Sequence, residues 1–179
     1  MQDRARAVWL VADFFTHCHR ISGRVNARTQ KLADQLNDSN TDFLQIEDAY
    51  ISNTQRPADI TASHMTSILR KANVSAAIVA RAEDGMPREH MYGSYFGATL
   101  RRVFVSVPSF EIEGNLRLSG QLDLRTLLST GTDDFICVLD GQMRSAMSPD
   151  VVFSGGAILV NKSQIEAFFV TDVEEDTKE

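Results

Sequence analysis

The phrase "DFLQIEDAYI" at 42–51 returns as "DFICVLDGQM" at 134–143. A phrase that recurs once, about 90 residues on, is too widely spaced for a solenoid and fits two copies of a small domain. The agreement runs on in both directions. Upstream, Ile21-Ser22-Gly23-Arg24-Val25 faces Ile112-Glu113-Gly114-Asn115-Leu116, and Lys31-Leu32-Ala33-Asp34-Gln35-Leu36 faces Leu122-Asp123-Leu124-Arg125-Thr126-Leu127. Downstream, Pro57 faces Pro149, and Lys71-Ala72-Asn73-Val74 faces Lys162-Ser163-Gln164-Ile165. Identities are few, but apolar positions, glycine, aspartate, proline and lysine recur in one order. The expected organisation is a first copy over 1–80, a connecting segment over 81–94, a second copy over 95–171 and an acidic, disordered tail over 172–179.

Each copy reads alike. It opens with a long extended stretch, 7–25 or 100–116, of which "VFVSV" at 103–107 is strongly β-prone. Gly23 and Gly114 fall inside these stretches, where glycine marks a bulge or a close backbone approach. A short helix follows, with Thr29 and Ser119 as expected N-caps. Leu32, Ala33 and Leu36 make one apolar stripe, Leu124, Leu127 and Leu128 the other, and Gly131 suits a helix end.

The repeated phrase then forms a strand. Leu44 and Ile46 alternate with Gln45 and Glu47, whereas Ile136-Cys137-Val138-Leu139 is apolar throughout. The second strand is therefore expected to be covered on both faces and the first on one. A loop of a dozen residues with its shared proline comes next, then two strands joined by a tight turn at Asn73 or Gln164. The expected class is α+β, mainly β: two tandem copies of a small β-barrel-like unit, each a long strand, a short helix and three further strands. The copies are expected to pack as a pseudo-twofold pair, with the opening stretches pairing across the halves.

Composition fits a folded chain, at 43% hydrophobic and 23% charged residues. A chain of this length can bury a core without disulfides or a structural metal. Its two cysteines, Cys18 and Cys137, have no metal-ligand spacing and point to a reducing cytoplasm. The apolar run from Val8 to Ala12 is far shorter than the roughly 20 residues that span a bilayer, and no signal-peptide cleavage site follows it. A formal net charge of −6 disfavours broad attraction to nucleic acid or anionic lipid.

The order I-x-G-x-V, L-x-x-x-L, F-L-x-I-x-D-A, I-L-x-K-x-x-V resembles a short bacterial domain of unknown function found singly or in tandem. The second half of each copy also resembles, more distantly, the Sm-like RNA-binding barrel. The matching stretches are 44–49 with 68–74, and 136–141 with 159–165. That resemblance implies nucleic-acid contact through the matched turns at Arg70, Lys71 and Lys162. Those turns, Arg70-Lys71-Ala72-Asn73 and Asn161-Lys162-Ser163-Gln164, lack the glycine such turns usually carry.

Candidate chemistry is sparse. His17 and His19 would share a face of an extended strand and could ligate a metal, with His64 or His90 completing the site. Asp48 and Asp140 hold matched positions and could pair, but each reads better as a strand end, with Asp140-Gly141 as a turn. Cys137 reads as core and Cys18 as a thiol flanked by histidines that face away. No P-loop, nucleophile elbow, dinucleotide fingerprint or metalloprotease motif is present. The residues therefore point to a noncatalytic binding or assembly module without cofactor, engaging a protein partner or itself. A nucleic-acid binder and a metal protein or enzyme using His17 and His19 are the alternatives. Trp9, Phe14, Phe15, Tyr92, Tyr95 and Phe96 cluster near the copy starts and would mark a partner surface if exposed, although a core role suits them better.

Overall fold

A computed structural model describes residues 8–87, 98–119, 124–129 and 131–171. The acidic tail, His90, Tyr92, Tyr95 and Phe96, and residues 88–94 of the connecting segment lie outside the described residues. Among the described residues ten strands form one antiparallel sheet. They are β1 (Trp9–Phe15), β2 (His19–Asn26), β3 (Phe43–Asn53), β4 (Arg56–Arg70), β5 (Ala76–Val79), β6 (Ala98–Val107), β7 (Phe110–Ser119), β8 (Phe135–Ser145), β9 (Val152–Asn161) and β10 (Ala167–Thr171). Among the described residues three short α-helices, α1 (Leu32–Asn37), α2 (Ala82–Gly85) and α3 (Leu124–Ser129), interrupt them. The strand order is β10-β6-β7-β8-β9-β5-β1-β2-β3-β4, and the sheet is open, with β10 and β4 at its ends.

Each expected opening strand is in fact a hairpin. The first turns at Thr16, whose Oγ1 accepts a hydrogen bond from the His19 backbone N–H at 3.2 Å. The second turns at Pro108 and Ser109, the latter in a left-handed conformation with φ of 72°. Thr16 thus closes its own turn without glycine, whereas the Ser109 hydroxyl donates to the His17 carbonyl at 3.1 Å. The loop expected at 52–63 is also much shorter, because β3 continues to Asn53 and β4 starts at Arg56.

The matched glycines lie where β2 meets β3 and β7 meets β8. A Cβ on Gly23 would sit 2.3 Å from Ile46 Cγ2, and one on Gly114 would sit 2.5 Å from Val138 Cγ1. Beside each, the ladder shifts register, between Ser22 and Arg24 and between Glu113 and Asn115. Asp48 and Asp140 stand inside β3 and β8 rather than at strand ends, both with φ of 48°. One residue in the left-handed region lets a strand bulge and bend without ending.

The helices are short and hold their places by packing, since two turns alone are marginal in water. Leu32, Ala33 and Leu36 are buried, as the stripe predicts. α1 starts at Leu32 with Lys31 as N-cap, not Thr29, and the Asp34 carboxylate accepts from the Lys31 N–H at 3.2 Å. Residues 124–129 are helical, as expected, whereas Ser119 ends β7 instead of capping that helix.

Two apolar cores result. One gathers Phe14, Val25, Leu32, Leu36 and Ile46 from the N-terminal half, yet it includes Phe135, Ala157 and Leu159 from the C-terminal half. The other gathers Val105, Phe110, Ile112 and Met143, yet it includes Phe15, Ala76 and Ile78. Phe14 and Phe15 are wholly buried and take no part in an outer surface; Trp9 is half-exposed beneath the Arg24 guanidinium.

Candidate assembly interface

The halves meet where β5 pairs with β9, not where their opening stretches meet. Ala76↔Val160 through Val79↔Ala157 make a four-residue antiparallel joint. The relation between the halves is not twofold. A twofold contact is isologous, so the same strands would meet from both sides. Here β5 meets β9 while their counterparts by position, β10 and β4, lie at opposite ends of the sheet. The contact is head-to-tail.

Strand alternation makes the joint a wall shared by both cores. Ala77, Val79, Ala157 and Leu159 point into the first core, and Ala76, Ile78, Ile158 and Val160 into the second. An uninterrupted apolar run is what a strand buried on both faces requires. The same sharing explains β8, whose Cys137 and Leu139 pack on the first core. Its partner in sequence, β3, leaves Gln45 exposed and Glu47 half-exposed.

Polar groups latch the joint. Asn161 Nδ2 donates to the Val74 carbonyl at 2.9 Å, and Gln164 accepts from Ser75 Oγ at 2.6 Å while donating to the Ala72 carbonyl at 2.7 Å. Asn37, at the end of α1, accepts from the Phe135 N–H at 2.8 Å. Beyond the four pairs the chain of 80–82 crosses close over β9. A Cβ on Gly155 would stand 2.5 Å from the Val79 carbonyl oxygen, and one on Gly156 2.5 Å from the Ala82 nitrogen. Glycine is required at both.

The two sheet ends lack such a partner. Among the described residues β4 pairs with β3 alone and β10 with β6 alone. An unpaired edge presents a row of backbone donors and acceptors that can template another strand. Apolar side chains accompany these edges: Ile60, Met65 and Ile68 on β4 and Phe169 on β10 are exposed, as is Phe43 on neighbouring β3. Ile68 is 62% exposed and Phe169 56%.

The residues singled out from sequence lie elsewhere. His17 occupies the β1–β2 turn, where its ring nitrogen is 3.3 Å from Ser109 Oγ, and His19 begins β2 opposite Asn53. They do not share a strand face, and His64 stands mid-strand opposite Ala49. Among the described residues no three His, Cys, Asp or Glu side chains gather closely enough to hold a metal. Asp48 pairs with Arg24, on a different strand pair from Asp140, so the aspartates form no carboxylate dyad.

Lys71 is buried, and its amine donates to the Asp38 carbonyl at 2.9 Å. Burial lowers its pKa, opposed by the charges of Asp38, Asp134 and Asp42. Lys162 donates to the Gly131 carbonyl at 3.2 Å. Each lysine thus ties down a loop of its own half. Arg70 lies over the Phe43 ring at 5.8 Å, and with Lys71, Asp42 and Asp134 it borders a cleft of about 290 Å³ beside the joint. Cys18 is exposed, whereas burial pushes the Cys137 thiol up to about 12. No protein-family model, curated protein or solved structure matches this chain.

Proposed function

We propose that the chain is a noncatalytic, cytoplasmic assembly module made of two tandem copies of one small β unit, and that its outer sheet edges accept strands from a partner. The observation that carries this reading is the pair of edges unpaired among the described residues, β4 and β10, flanked by exposed Ile68 and Phe169. Strand addition at an open edge supplies main-chain hydrogen bonds, and apolar side chains on the edge supply specificity. Duplication is supported by register. Leu44↔Leu69 through Ala49↔His64 repeats as Ile136↔Val160 through Gly141↔Gly155, with the same skipped aspartate in each. The nucleic-acid reading lacks comparable support, because both turn lysines are engaged with loop carbonyls.

The test compares wild type with an Ile68→Lys, Phe169→Lys variant. Both side chains are exposed, so the charges leave the isolated fold intact. The wild type is expected to form a higher-mass species, alone or with a captured partner, that the variant fails to form. A wild type of strict monomer mass, capturing nothing that the variant does not, would overturn the proposal.

A further inference from the structure

Resting on that reading, we infer that the partner of the β10 edge is the β4 edge of a second copy of this chain, joined in the register of β5 on β9. The internal joint is head-to-tail, and a head-to-tail contact leaves one unused copy of each of its surfaces at the two ends. By position in sequence, β10 is the counterpart of β5 and β4 the counterpart of β9. Transposing the joint gives Ala167↔Leu69 through Val170↔Thr66, between molecules.

Exposure identifies the side chains that this contact would cover. Ile78 is 5% exposed within the joint, while its counterpart Phe169 is 56% exposed. Leu159 is fully buried, while its counterpart Ile68 is 62% exposed. Phe135, from β8, is 3% exposed against the first core, while its counterpart Phe43 is 51% exposed. The three large apolar residues Ile78, Leu159 and Phe135, which cross into the other half, thus have large apolar counterparts left outside, whereas the small Ala157 has Thr66. Conversely Leu69, Phe168 and Val170, whose counterparts face their own core, already pack on theirs.

The latch transposes with matched lengths and charge. Gln164 meets Ser75 in the joint. Their counterparts are Asn73, one methylene shorter, and Glu166, which is longer and anionic. The counterpart of Asn161 is Arg70, a cation that would lie near Glu166 of the adjoining molecule. A charge-assisted pair would replace a neutral hydrogen bond.

Two differences set limits on the contact. His64 and Met65 stand where Gly155 and Gly156 let 80–82 cross, which confines the contact to the four transposed pairs. Gln45 and Glu47 stand where Cys137 and Leu139 pack, and Leu128 replaces Asn37. The contact between molecules buries less apolar surface than the internal joint, so assembly depends on concentration and yields rings or open chains of copies.

A mixed cysteine experiment tests the register. In a Cys18→Ser background, one preparation carries Thr66→Cys and the other Val170→Cys, which spares Ile68 and Phe169. The mixture is oxidised mildly and resolved by non-reducing electrophoresis. The disulfide-linked heterodimer is expected with Thr66→Cys and not with Ser63→Cys in its place. Adding Ile68→Lys should lower the yield about tenfold or more, the loss of one buried aliphatic contact. Equal yields from Thr66→Cys and Ser63→Cys, or no heterodimer in either, would overturn the inference. If the pure protein is also monomeric yet captures a different protein that Ile68→Lys releases, the inference fails and the edge-binding module stands. If nothing is captured either, both fail.

Discussion

Asp48 and Asp140 adopt the same left-handed backbone conformation, φ 48° in each, at the point where β3 and β8 leave one residue unpaired against the next strand. Opposite each, across the neighbouring ladder, stands a glycine with no room for a side chain, Gly23 against Ile46 and Gly114 against Val138. Bulge and glycine together bend the strand pair around its core. Replacing either glycine by alanine should cost about 1–3 kcal/mol, the usual range for overpacking, while Asp140→Gly should be neutral or mildly stabilising. Denaturant unfolding of the three variants checks this, and an unchanged midpoint for both alanine variants would show that the bulges are not constrained.

The two thiols should behave differently. Cys18 is exposed and Cys137 is pushed up to about 12 by burial. In native protein near neutral pH one thiol should react quickly with an aromatic disulfide reagent, and the second only after unfolding. Two fast thiols in the folded protein would contradict the burial of β8.

The same residue sets an alkaline limit. A thiol whose folded pKa lies above its unfolded one contributes stability that is fully present below the unfolded value and is lost as pH rises toward the folded value. Cys137 therefore destabilises the fold progressively between the ordinary thiol range and about pH 12. Lys71 acts in the opposite sense, because burial lowers its pKa and favours the fold as the amine discharges. Cys137→Ala should retain more of its stability at alkaline pH than wild type, relative to each at neutral pH, in thermal melts. Parallel pH curves for the two would count against this assignment.

The shared-wall glycines predict a local effect at the joint. Gly156→Ala would force its Cβ against the Ala82 nitrogen and Ala80 carbonyl, and Gly155→Ala against the Val79 carbonyl. Backbone cannot give way as a flexible side chain can, so each should cost several times more than Ser154→Ala, an exposed change expected within about 0.5 kcal/mol. Thermal or denaturant unfolding checks the ranking, and equal losses would mean that 80–82 do not cross β9 as described.

Much of the fold was legible because its signals are local. The stripe of Leu32, Ala33 and Leu36 marked α1, and the four apolar residues at 136–139 marked a strand covered twice. Pairing partners were not legible. Asn73 read as the tip of a hairpin, but 71–73 is a 3-10 turn that sends β5 away from β4 to lie between β1 and β9. The Thr16 and Ser109 turns carry no local sequence signal, because neither uses the usual Gly or Asn pair. The joint itself carries a signal, the uninterrupted runs 76–79 and 157–160, which fit a strand buried on both faces. The histidines are near neighbours in sequence, but the hairpin between them removes their common face.

Sedimentation velocity on the purified chain, over about a hundredfold range of concentration, reads the pairing of β10 with β4 of a second copy, since an edge-to-edge association must follow mass action. The weight-average coefficient should rise with concentration for wild type and stay at the monomer value for Ile68→Lys. A wild type that sediments as a monomer throughout, indistinguishable from the variant, would contradict it.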